Sequence, residues 1–101
     1  MLINIDDYSY DEIIERSLHV PVIIYFYSDD SSVPELLDLE KVSKEFGNNI
    51  IIAKYNVKEN SKRQDITAVP CIKLFKNKKE ITGFVGNIPE EGLIEWIKSK
   101  L

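Results

Sequence analysis

Cysteine is almost missing from this chain: Cys71 is the single one in 101 residues. No intramolecular disulfide can form, nothing implies an oxidising compartment, and the cytoplasm is the expected location. No glycine-rich loop is present, which removes the usual cradle for a nucleotide phosphate. The one histidine, His19, has no carboxylate or thiol near it in sequence and reads as a solvated turn residue; no metal site and no cofactor are expected. Long apolar runs are also missing. The opening Met1–Ile5 is too short for a signal core and lacks a cationic lead, so neither a targeting segment nor a membrane span is expected. Positive charge is in deficit, with 13 basic against 17 acidic residues, which argues against a general affinity for nucleic acid. The dense basic cluster Lys76, Lys78 and Lys79 falls where a hairpin turn is expected and reads as solvated lysines.

What remains is an ordinary globular composition in one domain, residues 1–101, with 44% hydrophobic and 30% charged residues. The chain is organised around Val22–Pro34, VIIYFYSDDSSVP. Its apolar first half reads as a strand covered on both faces. Its second half turns through Ser28–Ser32 into a helical pattern. The N-terminus of a helix that follows a buried strand is a common place for chemistry, because backbone N–H groups and the positive dipole end point outward there. Here that platform carries hydroxyls and carboxylates.

Along the chain, Leu2–Ile5 suggests a first strand. Ser9–Glu12 has capping-box spacing ahead of a short helix to about Ser17. Ser32–Glu35 offers a second capping box, and Leu36, Leu39, Val42 or Ser43, and Phe46 make one apolar stripe ending at Gly47. Ile50–Val57 is a β-branched strand, parallel to Val22–Tyr27 through a right-handed crossover. Lys58–Asp65 leaves room for a short helical turn. Cys71–Phe75 and Glu80–Val85 read as an antiparallel hairpin across Lys76–Lys79. A last helix starts near Pro89, with Leu93, Ile94, Ile97 and Leu101 as its buried face and Trp96 along its edge. The fold class is therefore α/β: a mixed central sheet in the order β-α-β-α-β-short α-β-β-α, with helices on both faces.

In this order and spacing the chain resembles the thioredoxin family over nearly its whole length. The resemblance rests on Val22–Ser28, on Ile52–Val57, on Ala68-Val69-Pro70, and on Leu74–Asn77 with Phe84-Val85-Gly86. It implies the thioredoxin fold, with Pro70 as the family's cis-proline. The family's redox pair is a Cys-x-x-Cys at a helix N-terminus, where the dipole lowers the first thiol's pKa and the second thiol resolves the mixed disulfide. Those four positions fall on Ser31-Ser32-Val33-Pro34, and no cysteine occurs before Pro70. The family's buried acid falls on Tyr25 and its two active-site tryptophans on Tyr27 and Asp30. Lys54 matches the lysine that faces the acid and is expected to lack its partner.

Two readings of Cys71 stand side by side: a small apolar residue filling the start of a strand, or a monothiol that forms a transient mixed disulfide. Unpaired cysteines usually behave as small apolar residues, which favours the first. The leading expectation is a redox-inactive module that binds a protein or extended peptide. The partner-binding residues the resemblance implies are Asp30, Ser31, Ser32, Val69, Pro70, Val85 and Gly86, with Asp29 and Asp30 making the rim acidic. The alternative is a monothiol thiol-disulfide oxidoreductase acting through Cys71.

Overall fold

The computed structural model describes residues 2–28, 38–60, 66 and 68–101. Strands β1 (Leu2–Ile5), β2 (Val22–Tyr27), β3 (Ile51–Asn56), β4 (Cys71–Lys76) and β5 (Lys79–Val85) form one sheet in the order β1-β3-β2-β4-β5. β1 and β2 flank β3 in parallel, while β2/β4 and β4/β5 are antiparallel. The expected mixed α/β architecture is what forms.

Period-2 alternation along β2 explains how one strand serves two cores. Ile23 and Tyr25 face α2 (Leu39–Phe46) and α3 (Glu90–Lys100), where they meet Val42, Phe46, Leu93 and Ile97. Val22, Ile24 and Phe26 face α1 (Tyr10–Arg16) together with Tyr10, Ile13 and Tyr55. Phe26 and Ile24 are fully buried, each burial contributing about 1.5–3 kcal/mol. No helix among the described residues is long and apolar enough to cross a membrane.

Three local expectations are corrected, and a fourth falls partly outside the described residues. The Ser9–Glu12 capping box does not form, because Ser9 makes no side-chain cap of α1. The reciprocal pair lies three residues earlier: Asp6 Oδ1 accepts the Ser9 N–H at 2.9 Å, and Ser9 Oγ accepts the Asp6 N–H at 3.0 Å. Asp6 and Ser9 thus close the turn that leads into α1, while Ser9, its N-cap, gives the helix no side-chain bond. The helix carrying Leu39, Val42 and Phe46 does not run unbroken from Ser32. Asp38 is extended and caps it, accepting the Lys41 N–H at 3.2 Å. The proposed box at Ser32–Glu35 lies outside the described residues. Leu101 is 53% exposed rather than part of the buried face of α3. Of the short helix expected over Lys58–Asp65, residues 57–59 form a turn, and 61–65 lie outside the described residues.

The hairpin turn has the expected position and a further role. Asn77 and Lys78 have φ of 54° and 68°, the two-residue left-handed turn that matches strand twist. Their amides end on the α1 side of the molecule: Asn77 N–H donates to Ser17 O at 2.9 Å and Lys78 N–H to Ser17 Oγ at 2.8 Å. Ser17 is buried, and its hydroxyl donates onward to Ile14 O. Lys76 Nζ reaches Lys100 O at 3.1 Å, so one end of the sheet gathers the hairpin and the C-terminal ends of two helices.

Candidate partner-binding site

The opposite end of the β4–β5 hairpin carries Val69, Pro70, Val85 and Gly86. β4 begins at Cys71, directly after a cis Val69–Pro70 bond, and Cys71 pairs in register with Val85. One residue further out, Gly86 N–H donates to Pro70 O at 2.9 Å and joins the two loops. Gly86 has φ of +116°, a conformation other residues rarely adopt. Val69 is 37% and Val85 62% exposed, so two apolar side chains face solvent at this junction. Four of the proposed binding residues are thus brought together. Asp30, Ser31 and Ser32 lie outside the described residues.

Cys71 is only 6% exposed and packs in the α1-side core with Phe26, Ile24 and Phe75. Its strand position points it inward, since the pleat sends alternate residues to opposite faces. The first of its two readings, a small side chain filling the start of a strand, describes this placement.

Lys54 pairs in register with Tyr25, as the resemblance implied, but it does not lack a counterpart. Its Nζ sits 5.1 Å from the centroid of the Tyr27 ring, which itself stacks on Tyr25 at 5.8 Å and 11°. Aromatic rings thus occupy the positions where the resemblance places an acid and a tryptophan. A ring face attracts the ammonium by about 0.5–1 kcal/mol without a carboxylate. Lys54 and Tyr27 also wall a polar depression of about 460 Å³ with Asn4, Asp6, Asn56 and Asn60. His19 is an exposed turn residue, as expected.

Residues 1–99 match the family model of thioredoxin. The chain belongs to the thioredoxin family. It is similar to the thioredoxin of Rickettsia typhi, 28% identical over 107 aligned positions that cover all of both chains. The thioredoxin of Rickettsia prowazekii shows the same identity and coverage. The chloroplastic thioredoxin Y of Oryza sativa subsp. japonica is 32% identical over 98 positions, covering 92% of this chain and 58% of that protein. With one cysteine in its sequence, this thioredoxin-family chain has no dithiol pair.

One residue of this surface escaped the sequence reading. Ile81 is 52% exposed at a β-bulge, where the register slips between Leu74 and Phe75. The available signal was the stretch Ile81–Val85, which carries no charge although it forms a strand at the sheet's edge.

Proposed function

We propose that this chain is a redox-inactive thioredoxin-like module that docks an extended segment of a protein partner on the surface of Val69, Pro70, Val85 and Gly86, with Asp30, Ser31 and Ser32 as the further partner-binding residues that the family resemblance implies. The observation that carries this reading is the pair of exposed valines flanking the Gly86–Pro70 hydrogen bond. Apolar side chains beside an ordered backbone suit strand-type peptide capture, where main-chain hydrogen bonds give affinity and neighbouring pockets give selectivity. No thiol takes part. No cofactor is needed, and a cytoplasmic location fits a protein that depends on no disulfide.

Burial of Cys71 weighs against the monothiol alternative, because thiolate chemistry needs access. Two measurements test the proposal. In insulin reduction with dithiothreitol, the chain is expected to give no acceleration over the reagent alone, and Cys71 is expected to alkylate with iodoacetamide only after denaturation. Acceleration that disappears in Cys71→Ala would establish the monothiol reading instead. Affinity capture with the wild type and with Val85→Asp tests docking: proteins retained by the first are expected to be lost with the second, and identical retention would remove this surface from consideration.

A further inference from the structure

We infer that the partner segment pairs with the β5 edge as an added strand, and that it carries acidic residues at the end that meets Lys78 and Lys79. This rests on the docking reading above and names the class of partner.

The geometry follows from the hairpin ladder. Gly86 N–H to Pro70 O marks a hydrogen-bonded position, and such positions alternate along an antiparallel pair. Phe84 and Thr82 therefore direct their backbone groups to β4, and Gly83 and Val85 direct theirs to the outer edge. Among the described residues no strand lies beyond β5. Val85 and Ile81 present apolar side chains at 62% and 52% exposure on either side of Gly83. A Cβ at Gly83 would meet Ile72 O at 2.5 Å and Lys73 Cγ at 3.3 Å, so the lysine stem lies over the glycine. The result is a continuous apolar strip along an open row of donors and acceptors.

Natural edge strands are usually blunted by charge, proline or a bulge. β5 has the bulge and places its charges, Lys79 and Glu80, in its first two residues. Glu80 is neutralised by Lys73 at 2.8 Å. The remaining charge at this end, Lys76, Lys78 and Lys79, is positive.

That polarity selects the occupant. A second copy pairing antiparallel would bring its Gly86 end toward these lysines. The acids that follow that end in sequence, Glu90 and Glu91, already have partners: Glu90 Oε1 accepts the Asp38 N–H at 3.0 Å, and Glu91 pairs with Lys41 at 3.3 Å. A parallel copy would set lysine against lysine. A heterologous strand with its own acids satisfies both the edge and the lysines.

The probe is a synthetic nine-residue peptide, Asp-Asp-Thr-Val-Thr-Val-Thr-Asp-Asp, with acids at both ends so that either direction can bind. An analogue with lysines in place of the aspartates serves as the control. Three results are expected. The acidic peptide slows amide hydrogen exchange at Gly83 and Val85, the lysine analogue does not, and Lys78→Glu/Lys79→Glu weakens binding roughly three- to tenfold at low salt. If the peptide instead shifts only Val69 and Gly86, with no protection at Gly83 and no response to the lysine changes, the edge-pairing inference is wrong and the loop-docking reading stands. Absence of binding by either peptide overturns the edge inference, and the Val85→Asp capture experiment then decides the docking reading separately. Association of the chain with itself, abolished by Ile81→Asp, would replace the heterologous strand with a second copy.

Discussion

On the α1 side of the sheet, Tyr10, Phe26, Tyr55 and Phe75 share one core. On the α2/α3 side, Ile23, Val42, Ile52, Leu74, Leu93 and Ile97 share a core with two buried rings, Tyr25 and Phe46, and with Tyr27, Phe84 and Trp96 packed against it. Among the described residues, the first side carries a helix of seven residues and the second carries helices of eight and eleven. What sets the α1 side apart is that its rings are buried and meet at one residue: Tyr55 meets Tyr10 and Phe26 edge-on, with centroids 5.9 and 5.4 Å apart. The Tyr55 hydroxyl, at the far end of its ring, donates to Asp7 Oδ1 and ties that core to the turn before α1.

This contrast is open to direct attack. Phe26→Ala is expected to cost about 3–5 kcal/mol in urea unfolding, and Leu93→Ala about 2–5 kcal/mol. A smaller loss for Phe26 than for Leu93 would mean that the rings do not carry the α1-side core. Ser17→Ala comes next, at about 1–3 kcal/mol, because it removes a buried donor and the acceptor for the Lys78 amide. Its signature should be faster exchange at Lys78 together with the end of α1. Asp38→Ala, which uncaps α2 on the other side, should cost about 1 kcal/mol. A larger cost than Ser17→Ala would reverse the order of importance of the two faces' helix ends.

The smallest effect concerns Asp6. Hydrogen bonds from the Ser9 backbone, then from its side chain, hold the Asp6 carboxyl below its ordinary value of 3.8. A lowered folded-state pKa stabilises above the unfolded value and is lost as pH falls through the folded one. The acid limb of wild-type stability should therefore be steeper below about pH 4 than that of Asp6→Asn, which keeps an acceptor without a titrating group. Identical acid limbs would show that the Asp6–Ser9 pair contributes nothing there.

Much of the fold was legible because its signals are local and strong. The uninterrupted apolar run at Val22–Tyr27 and the β-branched run at Ile51–Asn56 leave few alternatives to buried parallel strands. Errors arose where two residues of similar chemistry competed for one partner, as Asp6 and Glu12 did for Ser9. Leu101 was misplaced because periodicity does not say where the neighbouring element stops. The site was less legible. Exposure of Val69, Val85 and Ile81 depends on which strand lies at the edge, and burial of Cys71 on the phase of the pleat. The ring beneath Lys54 needed the register of β2 against β3, which no single stretch of sequence encodes.

The fastening of the Asn77-Lys78 turn to Ser17 also bears on how the chain tolerates alteration. Tight exposed turns are ordinarily the favoured places to splice in a tag or open a new terminus. This one is a clasp whose amides hold the end of α1, so an insertion there would loosen that helix over the aromatic core. A graft intended to leave the molecule intact belongs elsewhere on its surface.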